Sequence, residues 1–285
     1  MNAGLHELPL VLFTVLAQSA VGAIMLMAVY LLLPTDNPPR QRKVILFLLL
    51  PLILLGLAFV ASIMHLGSPL RAFNSLNRIG ESALSNEIAG GMLFFAVAGL
   101  YWLLHFIKKM PSALDKLWLV LVIAYGCLFM FIMSSVYLIS TVPTWDNPYT
   151  PSAFLLTAIL SGFALGYALL RFADVTPVQL RFVPPILLLA LVAAILLTVS
   201  QAFSLSDIQT SVQKASTLVA DYGNMMMVRI ALLFVGIGLL FYSRSIQSGA
   251  RLSLCLCVLC ILFAELIGRT LFYGLHMTAG TAIGS

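Results

Sequence analysis

Residues 64–87 read MHLGSPLRAFNSLNRIGESALSNE, a polar stretch between two long apolar runs. It carries His65, Arg71, Arg78, Glu81 and Glu87. His65 closes the first run and Glu87 opens the second. Gly67-Ser-Pro69 between them is turn chemistry. Two apolar runs joined in this way describe a helical hairpin in a bilayer. If the runs are antiparallel, His65 and Glu87 reach the same membrane surface.

Working outward, the same pattern fills the chain. A spanning helix needs about 20 apolar residues. Eight runs meet or approach that length: Leu10–Leu33, Val44–Met64, Ile88–Ile107, Leu117–Ile139, Ala153–Leu170, Phe182–Val199, Met225–Tyr242 and Leu252–Tyr273. Breakers separate them, among them Pro34 with Pro38-Pro39, Pro143 with Asp146-Asn-Pro148, and Asp221-Tyr-Gly223. Of 285 residues, 61% are hydrophobic and only 9% charged, against about 25% charged in an ordinary soluble domain. The expected fold is therefore an all-α integral membrane protein, a single eight-helix transmembrane domain over residues 1–285.

Orientation follows from the Lys/Arg bias. The loops after runs one, three, five and seven hold Arg40, Arg42, Lys43, Lys108, Lys109, Lys116, Arg171, Arg181, Arg244 and Arg251. The other loops and the two ends hold only Arg71, Arg78 and Lys214. Both termini are thus expected on the periplasmic side, with the 64–87 hinge and the 204–223 loop facing outward. The net charge of +5 is spread over short loops and forms no basic stripe, so nucleic acid is not an expected partner. The opening MNAGLHELPLVLF lacks the basic start of a signal peptide, and the first run is read as a retained helix.

Few residues can carry chemistry. His65 can exchange protons near neutral pH, or cap the last carbonyls of its helix. With Ser85 as N-cap, Glu87 falls in the first helical turn, where the helix dipole favours an acid. It could equally receive or relay a proton at the lipid–water boundary. Arg71 and Arg78 could hold a partner carboxylate or stabilise negative charge, or be solvated loop residues. Glu265 and Arg269 are spaced i, i+4 on one helix face, with Arg229 in the preceding run. Ionisable groups inside a span are usually paired, so a structural Glu265–Arg pair competes with a role lining a cavity or proton exit. His6, His105 and His276 do not make two axial ligands at one depth, and neither haem nor metal is expected. Cys127, Cys255, Cys257 and Cys260 lie inside apolar runs and read as packing residues.

Several of these motifs bear a resemblance. ASIMHLGSPLRAFNSLNR at 61–78 and SALSNEIA at 82–89 closely resemble the membrane anchor subunit of dimethyl sulfoxide reductase, the DmsC family. Further matches are His6-Glu7-x-Pro9-Leu with Phe13-Thr-Val, Thr141-Val-Pro-Thr-Trp145, Asp221-Tyr-Gly, and ELIGRxxFYGLHM from Glu265 to Met277. They run from end to end. The resemblance implies an eight-helix anchor in the bacterial inner membrane with no prosthetic group of its own. It implies a menaquinol substrate, an iron–sulfur electron-transfer subunit and a molybdopterin catalytic subunit as partners. The family's quinol-site histidine and glutamate fall on His65 and Glu87. Arg71, Arg78, Glu265 and Arg269 are then candidates for the quinol pocket or for partner docking.

Three other readings compete. A transporter would place broken helices and polar groups at the bilayer midplane, but runs one to six carry no acidic or basic residue near their centres. A purely structural anchor would leave quinol to another subunit. An anchor of a related polysulfide, nitrite or selenate reductase is the third.

Overall fold

The computed structural model describes residues 6–34, 37–65, 77–208, 214–215, 218–219, 221–246 and 249–278, with the side chain of His65 excepted. Among them there is no β-strand. Eight helices are long and apolar enough to cross a membrane. They are α1 (Leu8–Leu32), α2 (Pro38–Met64), α3 (Ala83–Phe106), α4 (Ser112–Ser135), α5 (Tyr149–Phe172), α6 (Val183–Asp207), α7 (Tyr222–Ser245) and α8 (Ala250–Gly274). The eight expected runs each fall on one helix.

Helix ends differ from the hydropathy runs for identifiable reasons. α2 begins at Pro38, six residues before its run, because Asn37 caps it by accepting from the Arg40 amide and Pro38-Pro39 fit a first turn. Its regularity lapses at Leu48, where Pro51 has no N–H for the Phe47 carbonyl. α4 stops at Ser135 rather than Ile139. The hydroxyls of Ser134 and Ser135 both donate to the Phe131 carbonyl, competing with the backbone ladder.

The bundle is built around α1, which is buried along most of its length; α5 is buried next most, and the other six are largely exposed. α1 packs on α2, α4, α5 and α8. Lipid tails are as apolar as leucine, so burial alone does not hold such helices together, and close backbone packing must. α1 and α5 supply it with small residues. A Cβ on Gly22 would collide with the Ala158 carbonyl oxygen, and one on Gly162 would lie 2.6 Å from the Gly22 Cα. Ser19 and Ser161 hydrogen-bond across the contact at 2.7 Å. A π-helical turn, Ala158–Gly162, falls in α5 at the same place. Gly162→Ala is expected to force the two backbones apart and cost about 1–3 kcal/mol, read as a lower thermal midpoint of the purified protein. Gly238→Ala, which meets open space, should leave that midpoint unchanged or raise it.

Consecutive helices alternate in direction. At one end Lys43 pairs with Asp174, and Arg40 donates to Gln179 at 3.1 Å, joining the start of α2 to the α5–α6 turn. The Lys43 ammonium holds the Asp174 carboxyl below the usual carboxylate range. At the opposite end the α4–α5 loop is tied to the end of α8. Trp145 donates to the Phe272 carbonyl at 2.9 Å and stacks on the Phe272 ring. The 141–145 and 272–277 motifs are therefore two halves of one cap.

Candidate functional site

The residues of α3 at 87, 91, 94, 98 and 101 are buried, while Met92, Leu93, Phe95, Leu100 and Leu103 are exposed. This 3–4 spacing puts one stripe against the bundle and the rest toward lipid. Glu87 is the first member of the inward stripe. Below it, Gly91 admits Phe59 and Phe129, each 3.0 Å from where a Cβ would stand. α4 answers with Leu119, Val122, Gly126, Phe129 and Met133.

Glu87 is 4% exposed, and its Oε1 is buried with no hydrogen-bond partner among the described residues. The N-cap of α3 is Ser82, not Ser85. Glu87 therefore stands beyond the first turn, where the dipole no longer explains a carboxylate. It is buried within the bundle. A buried carboxyl without a partner is costly, and such groups within spans mark function more often than packing.

Two tyrosines lie within electrostatic range of it. Tyr137, just past α4, and Tyr273, near the end of α8, share a hydrogen bond and are both buried. Thr14 of α1 lies beside Tyr273. Burial, then Tyr273 and Glu87, push the Tyr137 hydroxyl well above the usual phenol range, so it stays protonated. Tyr137 and Tyr273 pack edge-on to Trp145.

Behind the tyrosines the polar groups continue across the bundle. Arg269 donates to Gln18 at 2.9 Å and to the Thr157 hydroxyl at 3.3 Å, with its guanidinium 3.6 Å from the Phe154 ring centre. Thr157 donates to Glu265 at 2.6 Å. Glu265 accepts from Arg229 at 3.2 and 3.3 Å. The acid thus pairs with Arg229 on α7, and Thr157 bridges it to Arg269. A cavity of about 30 Å³ lined by Thr157, Arg229, Glu265 and Arg269 has room for one or two water molecules.

The residues singled out in sequence separate into three groups. Glu87, Glu265 and Arg269 are buried in the bundle; Glu265 and Arg269 share one hydrogen-bonded cluster with Arg229, and Glu87 lies within electrostatic range of the two tyrosines beside Arg269. Arg78 is exposed, and its Nε lies 3.9 Å from Glu81. His65 ends the helix that begins at Leu49; its side chain, and all of Arg71, lie outside the described residues. Gln18, Thr157, Thr14 and Tyr137 were missed. Each is a lone uncharged polar group in or beside an apolar run, which a hydropathy average absorbs. The pattern that exposes them is helical register, since Thr14 and Gln18 sit i, i+4 on the buried face of α1.

Over residues 1–275 the chain matches the family described as DMSO reductase anchor subunit (DmsC). It is 50% identical over 290 residues to the YnfH chain of anaerobic dimethyl sulfoxide reductase from Escherichia coli (strain K12), with 99% of both proteins covered. It is 45% identical to the C chain of anaerobic dimethyl sulfoxide reductase from Haemophilus influenzae and to that from Escherichia coli (strain K12), with 100% of both proteins covered in each comparison.

Proposed function

The chain belongs to the family of DMSO reductase membrane anchor subunits, and from that premise we propose that it oxidises menaquinol and passes the electrons to an iron–sulfur partner. As an anchor of this kind it resides in the bacterial inner membrane as a multi-pass protein. The observation that carries the proposal is Glu87: an inward-facing carboxyl at the rim of the bundle, wholly buried at Oε1, with two tyrosine hydroxyls at hand.

In the proposed reaction menaquinol enters from the bilayer between α2 and α3. His65 accepts a hydrogen bond from one hydroxyl. Glu87 takes a proton from the quinol as electrons depart. Two electrons leave one at a time to the partner's cluster, two protons are released, and menaquinone remains. Tyr137 and Tyr273, hydrogen-bonded to each other, hold the inner wall and can orient Glu87. Arg269, held by Gln18 and Thr157, lies within electrostatic range of both tyrosines, and Glu265 with Arg229 neutralise most of the charge there. Protons and the cluster-bearing partner are assigned to the periplasmic side, where the Lys/Arg bias puts this end of the bundle. The iron–sulfur partner in turn serves a molybdopterin catalytic subunit.

The dependence on His65 can be tested by binding. His65→Arg removes a hydrogen-bond acceptor, worth about 1–3 kcal/mol in a buried site. The affinity of the purified complex for a menaquinol analogue is expected to fall about tenfold or more, with subunit stoichiometry unchanged. Unchanged affinity would remove His65 from the site.

A further inference from the structure

The inward stripes of α3 and α4 end in polar groups on the side of the bundle opposite Glu87. Tyr101 donates to Asp115 Oδ1 at 2.9 Å, and His105 Nε2 lies 3.0 Å from the same oxygen. These three residues line a cavity of about 480 Å³ between α2, α3 and α4 that also takes in Arg42 and Lys108. Apart from Gln41 its remaining wall is apolar and includes Leu46 and Phe106, which are 42% and 56% exposed. The cavity is therefore charged at its mouth and open sideways to lipid.

Lys108 carries a second observation. It ends α3 in the left-handed conformation, φ 56°. The amide of Lys109 bonds the Leu104 carbonyl at 2.8 Å and that of Lys108 bonds the His105 carbonyl at 3.1 Å, the bonding of a glycine-type helix stop. A lysine there is strained relative to glycine, because its Cβ crowds the following carbonyl oxygen. Strain held at a cavity lip, on the residue that supplies its charge, points to a ligand.

We propose that this cavity binds the headgroup of an acidic glycerophospholipid, such as phosphatidylglycerol. The phosphate bridges Arg42 and Lys108, and a glycerol hydroxyl reaches the carboxylate of Asp115, which Tyr101 and His105 hold in place. The acyl chains leave over Leu46 and Phe106. Arg42 and Lys108 outweigh Asp115, so the lining favours an anion. Basic pockets between spans on the cytoplasmic side commonly take acidic lipid headgroups, and the Lys/Arg bias assigns this end to that side.

The test is native mass spectrometry of the complete detergent-solubilised complex, delipidated and then titrated with phosphatidylglycerol or phosphatidylethanolamine. Phosphatidylglycerol is expected to be retained at least tenfold better. Arg42→Gln and Lys108→Gly should each reduce that preference several-fold, and the double variant should abolish it. Lys108→Gly relaxes the backbone, so its loss of lipid cannot be put down to misfolding. Lys109→Gln, next in sequence but outside the lining, should leave the preference intact. Equal retention of the two lipids, or an unchanged preference in the double variant, would overturn the proposal. Displacement of the lipid by inorganic phosphate at matching concentration would overturn it in favour of a free-anion site.

Discussion

Glu87→Gln is expected to lower menaquinol-dependent turnover by about a hundredfold or more, the usual range for loss of a general base, while the complex still assembles. The substitution keeps shape and hydrogen-bonding capacity but cannot take a proton at the working pH. Its packing should survive, because Phe59 and Phe129 pack on the stripe at Gly91, one turn further along, and that contact is left alone. Among the described residues no hydrogen bond to Oε1 is broken. Turnover with a water-soluble artificial donor that bypasses quinol should stay near the parent value. That split between two donors separates a role in proton transfer from general damage.

Glu265→Ala should act in the opposite manner and remove folded protein rather than one activity. The change leaves Arg229 buried and unpaired and removes one of the two acceptors of the Thr157 hydroxyl. Breaking a buried pair on one side costs about 3–5 kcal/mol, enough to exhaust much of the stability of an ordinary domain. The expected result is little or no assembled complex in the membrane fraction. Removing both charges together, as Arg229→Leu with Glu265→Leu, should recover most of the assembly, because apolar replacement of a buried pair is often close to neutral. Arg269 keeps its bonds to Gln18 and Thr157 in that variant. If the double variant assembles and still oxidises menaquinol, Glu265 and Arg229 are structural; assembly without quinol turnover would make them part of the proton path.

The two experiments separate Glu87 from the Glu265 cluster, and that division was only partly visible in the sequence itself. Eight apolar runs were plain because hydropathy sums over twenty residues and tolerates single exceptions. The same averaging hid the exceptions that matter. Gln18 is wholly buried and joins α8 to α4 through Arg269 and Met133, yet it is one amide in a run of apolar neighbours. The partner of Glu265 could not be chosen from spacing. Arg269 shares its helix face, but the carboxylate turns to Arg229, because Phe154 and Gln18 engage the other guanidinium. Placing the cap of α3 at Ser85 put Glu87 in the first turn, and the true cap at Ser82 lengthens the helix by three residues. The His105–Asp115 contact was hidden for a similar reason. Read by hydropathy, the fourth run starts at Leu117, whereas α4 begins at Ser112 and carries Asp115 in its first turn. A lysine rather than a glycine closes α3, so the usual stop signal was missing there.

The central claim is that Glu87 gains a proton when the bound quinol is oxidised. Infrared difference spectroscopy of the assembled complex, recorded between quinol-loaded and quinone-loaded states, reads carboxyl protonation directly. A change in the protonated-carboxyl band is expected in the parent protein and should vanish in Glu87→Gln. The same band change in both proteins would place the proton on another group and contradict the role given to Glu87.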